Sequence, residues 1–278
     1  MTHWKTVLCV KYWIGFFTVF ITPSLLLDAK DQFTHKISII HEDWGKASKE
    51  EIRAVLTSTA DSLLDQVEIQ PKAILVGRSS NGPIVLFKRG KNGEFFVNLN
   101  TQDRLWSQYA FQFAHEIGHI ICGFKEGHKG NLWFEETICE VASLFALQSM
   151  SKKWIDFPPH PNWKSYAKEF NKYALNRMKK NSFSDKGKFL EWFRINKHSL
   201  TINPTDRSKN CKIATILLPL FKNNSHSWSS CQHLNDRKNL EEKNFDQYLL
   251  EWKQNCPLQE QKKFVKKISN LFGIQFSE

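Results

Sequence analysis

The residues of this chain best suited to chemistry are His115, Glu116 and His119, which form the pattern His-Glu-x-x-His. Two residues four positions apart lie on one face of an α-helix, so both imidazoles can present a ring nitrogen to one metal ion at about 2.0–2.1 Å. Glu116 lies about 100° around the same helix, where it can reach a water on that ion. The pattern therefore predicts two metal ligands and a general base.

The flanking sequence predicts that this motif is helical. Apolar residues recur at spacings of one, three and four from Leu105 to Ile117. Thr101 and Asp103 are candidate N-caps, and Gly123 is a candidate stop signal. The alternative interpretation, two core histidines that happen to lie one turn apart, is disfavoured by an amphipathic helix that runs directly into the motif.

A third metal ligand is expected downstream, because two protein ligands hold zinc weakly. A second helical pattern covers residues 131–147, and Glu136 and Glu140 lie four positions apart on it, away from its apolar stripe. Two carboxylates directed at one place on an otherwise apolar helix cost free energy unless a positive charge lies there. The alternative is an acidic cluster near a helix N-terminus, where the helix dipole favours Glu135 and Glu136 without any metal.

With these two segments the chain resembles the gluzincin metallopeptidases, the thermolysin-like and aminopeptidase-N-like group. Trp133-Phe134-Glu135-Glu136 is similar to the W-x-N-E segment of the aminopeptidase-N-like members. The resemblance, which is strong over residues 101–150, implies that Glu136 is the third zinc ligand. It also implies that Glu140 hydrogen-bonds a zinc histidine, as an acidic residue does in thermolysin-like enzymes. The usual Asn is Glu135 here and the gap after His119 is shorter, so Glu135 and Glu140 stay open as alternative ligands.

The periodicity predicts an α+β fold with two lobes. Residues 30–155 are expected to form a zincin-like lobe with a small sheet and the active-site helices, and residues 156–278 a mainly helical lobe. We expect the strand at residues 94–99, just before the motif helix, to form the edge of the cleft. The remaining predicted strands are 36–41, 73–76 and 84–87, with a hairpin turn at 91–93. The other predicted helices are 48–67, 163–178, 186–196, 208–221, 240–254 and 258–271, with a loop at 223–235.

The first 29 residues have the order of a signal peptide. Residues 12–27 carry no charge, follow Lys5 and Lys11, and precede the cleavage site Leu27-Asp28-Ala29. A signal anchor is the alternative, but a membrane span needs about 20 apolar residues and Pro23 interrupts this run. We therefore expect a secreted, periplasmic or envelope-facing protein without a stable membrane span after cleavage.

The basic balance of the chain, a formal net charge of +11, does not by itself predict a nucleic-acid partner. The lysines are spread along the sequence and no nucleic-acid-binding motif accompanies them. A solvated surface, or attraction to anionic envelopes and acidic substrates, is the preferred interpretation.

Five cysteines follow the predicted cleavage site, and their odd number requires at least one free thiol in a monomer. If the two metal-binding helices run antiparallel, Cys122 and Cys139 are displaced in opposite directions beyond bridging distance. A disulfide, if one forms, is then expected among Cys211, Cys231 and Cys256.

Together these features predict a zinc metallopeptidase of gluzincin type, with one zinc per chain and a peptide or protein as substrate. Glu116 would deprotonate the attacking water and pass the proton to the leaving amine. A second donor to the oxyanion is expected from the C-terminal lobe. A catalytically inactive, zinc-stabilised binding protein of the cell envelope and a basic envelope- or nucleic-acid-binding module are the alternatives. The candidates for the oxyanion donor are Tyr166, Tyr173, His198, His226 and His233.

Overall fold

The computed structural model describes residues 36–67, 72–237 and 241–276, so the predicted signal peptide lies outside the described residues. Residues Thr34–Glu278 form one compact unit that includes both predicted lobes, and buried side chains from the two join a single core. Helix predominates around a small sheet, which is compatible with the predicted α+β class. Within the described ranges, every helix is too short or too polar to cross a bilayer.

The sheet has four strands, β1 (Ile37–Ile39), β2 (Ile74–Arg78), β3 (Ile84–Leu86) and β4 (Phe95–Leu99), in the order β1-β2-β4-β3. β1, β2 and β4 are parallel, and β3 pairs antiparallel with β4. The predicted turn between β3 and β4 is confirmed, with Gly93 at a φ of +85°. The expectation that residues 94–99 form the cleft edge is wrong, because the hairpin places β3 outside β4.

Three helices contact one another, the first following β1 in the sequence and the other two following β4. α1 (Lys49–Leu64) begins at Ser48, whose hydroxyl accepts a hydrogen bond from the Glu51 amide in a capping box. α2 (Trp106–Ile121) carries the histidine motif and contacts α1, β3 and β4. α3 (Leu132–Asp156) carries the downstream glutamates and contacts both α1 and α2. The histidine motif and the downstream glutamates therefore lie on neighbouring helices, as the sequence predicts.

The ends of α2 differ in how well the sequence predicts them. The predicted N-caps Thr101 and Asp103 are wrong, because the helix begins after Leu105 and has no side-chain cap. Asp103 instead adopts a φ of +52° and accepts a hydrogen bond from the Lys46 amide at 2.8 Å, which ties it to the loop before α1. The predicted stop is confirmed, since Gly123 follows the helix with a φ of +88°.

The middle of the histidine motif is the point of closest approach between α2 and α3. A Cβ atom added to Gly118 would lie 2.8 Å from the Cα and 3.0 Å from the Sγ of Cys139. Only glycine fits against backbone at that distance. Gly118 therefore sets the distance between α2 and α3, the two helices that supply the candidate ligands.

Gly118→Ala should lower the free energy of unfolding by about 1–3 kcal/mol, because the added methyl group meets backbone that cannot rotate away. This loss should appear even though alanine is the better helix former by about 1 kcal/mol. Urea denaturation of the two proteins measures the difference. Gly130→Ala is the matched control, since its added Cβ has no heavy atom within 4 Å, and equal destabilisation of both variants would contradict the tight crossing.

The cysteine expectations are corrected by the same crossing. Cys122, Cys139 and Cys231 lie close enough for their thiols to hydrogen-bond, because α2 and α3 cross at Gly118 instead of sliding past each other in register. Cys122 and Cys139 are therefore nearer to each other than predicted, but they are free thiols and form no disulfide, as the sequence analysis expects. All five described cysteines are free and buried, including the three for which a disulfide was considered.

The described residues after α3 are mainly helical, and the next three helices along the chain contact α3. The helix predicted from residue 163 begins instead as a 3-10 turn at Pro161–Tyr166. The loop predicted at 223–235 contains a short helix, in which Trp228 and Cys231, three positions apart, are both buried. The remaining helices are α4 (Ala167–Lys179), α5 (Lys186–Ile202), α6 (Arg207–Lys222), α7 (Ser227–Cys231), α8 (Phe245–Asn255) and α9 (Gln259–Leu271).

Candidate metal centre

Two histidines of α2 and one glutamate of α3 bring their polar atoms together. His115 Nε2 lies 3.2 Å from Glu136 Oε2, and His119 Nε2 lies 3.7 Å from Glu136 Oε1. Ligands about 2.0–2.1 Å from a tetrahedral zinc ion are separated from one another by about 3.3–3.4 Å. The Glu136 carboxylate therefore lies at the distance from both imidazoles that a shared zinc ion requires.

The Cys139 thiol is a rival third ligand. Its Sγ and one nitrogen from each histidine lie within 4.8 Å of one another, so His115, His119 and Cys139 form a cluster that could hold a metal ion. Glu136 lines the cleft, whereas Cys139 is fully buried. Burial and the neighbouring Cys122 raise the pKa of the Cys139 thiol well above its usual range, which disfavours the thiolate that binds metal. These observations favour Glu136.

The carboxylate that orients a candidate histidine is Glu135, not Glu140. His119 Nδ1 lies 2.8 Å from Glu135 Oε1, and Glu135 Oε2 accepts a hydrogen bond from Asn235 Nδ2 at 2.8 Å. A partner on Nδ1 directs the opposite nitrogen, Nε2, toward Glu136. Because Glu135 engages the nitrogen that faces away from Glu136, its position also disfavours the alternative in which Glu135 is itself a ligand.

Glu140 lies one helical turn beyond Glu136 and contacts a different helix. Its Oε1 accepts hydrogen bonds from Arg177 of α4, with Nη2 at 2.8 Å and Nε at 3.3 Å. Among the described residues, the side-chain partners of this buried carboxylate are Arg177 and the Cys211 thiol, so the predicted bond to a zinc histidine is not formed. α4 packs against α3 here, so the Glu140 carboxylate pairs with the Arg177 guanidinium and not with a histidine of the motif.

Glu116, the predicted general base, is buried at the same cleft. Its side chain is only 2% exposed, lines the cleft and accepts a hydrogen bond from the backbone amide of Val85 on β3. Burial raises the pKa of this carboxyl, while the charges of His115 and His119 and the Val85 amide oppose the shift. A carboxylate whose pKa is raised from its usual range is better matched to accepting a proton near neutral pH.

The electrostatics of the centre favour a cation. Burial lowers the pKa of His119, but its hydrogen bond to Glu135 and the charges of Glu135, Glu136 and Glu116 outweigh burial and raise that pKa to about 10. Burial raises the pKa of Glu136, yet the hydrogen bond from His115 and the nearby positive charges bring it below its usual value. The carboxylates around the two imidazoles thus create a site where a metal ion can replace a bound proton.

The centre opens into a cleft with a volume of about 660 Å³. Tyr173 is the one predicted oxyanion donor that lines this cleft among the described residues. Tyr166 lies elsewhere and hydrogen-bonds Ser107, and His233 pairs with Asp236. Two arginines that carry no sequence motif also line the cleft, Arg177 and Arg207. The apolar part of the wall is formed by Pro83, Ile84, Val85, Leu86, Phe87, Phe111, Phe124 and Leu132.

The donor set fits zinc, since two imidazole nitrogens and one carboxylate are the ligands of many catalytic zinc sites and leave a fourth position free. The orienting carboxylate on His119 adds the outer contact that such histidines usually make. Comparison of the chain with protein-family models, with curated proteins and with solved structures finds no match.

Proposed function

We propose that this protein is a zinc-dependent peptidase in which His115, His119 and Glu136 hold the metal and Glu116 is the general base. The observation that carries the proposal is the position of Glu136, 3.2 and 3.7 Å from the two histidines, together with a buried Glu116 at the same cleft. We further propose that the sheet, α2 and α3 form a zincin-like lobe, with the C-terminal helices as the opposite wall of the cleft.

When bound, zinc would polarise a peptide carbonyl and lower the pKa of a water molecule. Glu116 takes the proton from that water as it attacks the carbonyl carbon, and then donates the proton to the nitrogen of the leaving amine. Its hydrogen bond to the Val85 amide holds the carboxylate against β3 during both transfers. Tyr173 lines the same cleft and is the proposed donor to the developing oxyanion.

The edge strand supplies a place for an extended substrate. β3 has one strand neighbour, β4, and its residues from Pro83 to Phe87 line the cleft. An extended peptide that pairs with this edge gains main-chain hydrogen bonds and passes directly beside Glu116. Because the Val85 amide on this strand interacts with the Glu116 carboxylate, a peptide bound along β3 would lie next to the proposed base. This arrangement favours a peptide over a compact small molecule as the substrate.

The alternative of a zinc-stabilised binding protein retains the ligands but leaves Glu116 without a role. A carboxylate that is 2% exposed loses solvation, and its raised pKa shows that the loss is incompletely compensated. A purely structural zinc site has no use for such a group and is usually closed by a fourth protein ligand. The open cleft beside the histidines therefore favours the enzyme.

Peptide cleavage that depends reversibly on zinc tests the proposal. The purified protein should hydrolyse a library of unstructured fluorogenic peptides, lose at least about 10²-fold in rate after chelation, and recover on addition of one equivalent of zinc. Mass spectrometry of the products should show cleavage at peptide bonds. A zinc-loaded protein that cleaves no member of the library, across acidic, basic and apolar sequences, would support the binding protein instead.

A further inference from the structure

Three cationic side chains line the cleft, and two of them are neutralised by partners. Lys125 pairs with Asp236, and Arg177 pairs with Glu140. The third is Arg207, which has no ion pair or side-chain hydrogen bond within the described ranges. The cleft thus presents one exposed guanidinium whose charge is not already used by the fold.

No carboxylate forms an ion pair with Arg207 in the described part of the chain, although the charge of Arg207 contributes to the lowered pKa of Glu136. The preceding residue, Asp206, caps α6 by accepting hydrogen bonds from the amides of Ser208 and Lys209, and its other oxygen pairs with Lys209 Nζ at 2.6 Å. Arg207 extends instead across the cleft toward the loop before β3, where its Nη2 lies 3.8 Å from the position of a Cβ on Gly82. The guanidinium therefore lies at the end of the cleft where β3 begins.

The distance from Arg207 to the reacting centre can be read along β3. Glu116 is hydrogen-bonded to Val85, which lies three residues after Gly82. Three residues of extended chain span about 10 Å. Because Gly82 has a φ of +105° and precedes β3, this length is an upper limit, and a group of the substrate that binds Arg207 is within about three residues of the bond beside Glu116.

The opposite end of the cleft has a different character. Phe87 and Phe124 stack there with ring centroids 5.0 Å apart, and Phe87 is 73% exposed. Glu126, two residues after Phe124, also lines the cleft and adds negative charge. Arg89 lies over Phe124 with its Cζ 4.7 Å from the ring centroid, so this end also carries positive charge, but Arg89 is not among the residues that line the cleft and Lys125 is paired with Asp236. Arg207 is therefore the lysine or arginine of the cleft wall that is left for a substrate carboxylate.

We propose that Arg207 binds a carboxylate of the peptide substrate, placed within about three residues of the cleaved bond. The planar guanidinium can donate two parallel hydrogen bonds to such a group. The carboxylate belongs either to an acidic side chain or to the C-terminus of the peptide, since both present the same chemistry. This inference rests on the proposed peptidase function and adds a substrate class to it.

A matched set of fluorogenic peptides tests the inference in the zinc-loaded enzyme. One arm moves a single Asp or Asn through the three positions on each side of the cleaved bond, and the other compares a free C-terminus with an amide. At one of these positions the carboxylate should raise kcat/KM by about tenfold, mainly through KM, and Arg207→Gln should remove that gain. Arg207→Lys should restore part of it, because it keeps the charge but not the paired donors. Arg194→Gln, which removes an exposed arginine from α5 outside the cleft, should leave the gain intact.

Binding measured without turnover separates this inference from the proposed function. Fluorescence anisotropy with the Glu116→Gln variant should show about tenfold tighter binding of the carboxylate peptide than of its neutral partner, and Arg207→Gln in that background should abolish the difference. Equal binding of both peptides, unchanged by Arg207→Gln, would overturn the inference even if the wild type cleaves peptides. Carboxylate-dependent binding by a wild type that cleaves nothing would support the Arg207 site and count against the peptidase.

Discussion

Glu116→Gln should retain the fold and about one zinc per chain while losing at least about 10²-fold in peptide turnover. Glutamine has nearly the same shape and can still accept the hydrogen bond from the Val85 amide, but it cannot take a proton from water. The metal-free variant should be at least as stable as the metal-free wild type, because the substitution removes a desolvated carboxylate. Initial rates, elemental analysis and thermal unfolding measure the three quantities.

A matched control for this variant is Glu191→Gln, which changes an exposed glutamate of α5 outside the cleft. It should leave rate, zinc content and unfolding temperature unchanged. A Glu116→Gln protein that keeps its zinc and cleaves peptides at the wild-type rate would exclude Glu116 as the base. Proton transfer would then require another group at the cleft, and Tyr173 of the C-terminal helices is a candidate.

The sequence predicts the elements of this fold well because their signals are local. Ser48 with Glu51 forms a capping box within one turn, and Gly93 takes a positive φ in the turn between β3 and β4. The histidine pair is equally local, since residues four apart on a helix must share a face. In each case the residues that decide the structure lie within four positions of each other.

The errors arise where the answer depends on residues far apart in the chain. Choosing between Glu135 and Glu140 as the partner of His119 requires the crossing point of α2 and α3, which Gly118 and Cys139 set. The same crossing brings Cys122 to Cys139. Neither helix pattern contains this information, because a helical period fixes the face of a residue but not its height against a neighbouring helix.

Two arginines that line the cleft could not be predicted from the sequence, for a similar reason. Arg177 and Arg207 come from α4 and α6, 37 and 67 positions after Glu140, and no motif accompanies them. One indirect signal exists for Arg177, because a buried glutamate such as Glu140 needs a cationic partner. The edge position of β3 also depends on pairing between strands, since the alternation of residues in β3 and β4 fits either order in the sheet.

His119→Ala and Glu136→Ala should each weaken zinc binding by at least about 10²-fold, whereas Cys139→Ser should retain about one zinc per chain. Removing either ligand leaves two protein donors, which hold zinc weakly. Serine in place of Cys139 removes the rival sulfur donor with little change in volume. Zinc content after dialysis and competition with a chromophoric chelator give the stoichiometry and the affinity. A Glu136→Ala protein that retains zinc, beside a Cys139→Ser protein that loses it, would assign the third ligand to the thiol.

The two other glutamates of α3 should separate metal binding from stability. Glu135→Gln replaces the group that orients His119, so zinc affinity should fall by about 10- to 100-fold without loss of the site. Glu140→Gln breaks the pair with Arg177, and because Glu140 is buried the free energy of unfolding should fall by roughly 2–4 kcal/mol with little change in zinc affinity. The resemblance to thermolysin-like enzymes predicts the reverse for zinc, since it assigns the histidine contact to Glu140. A larger loss of zinc affinity in Glu140→Gln than in Glu135→Gln would therefore show that the acidic residue one turn after Glu136 orients the histidine after all.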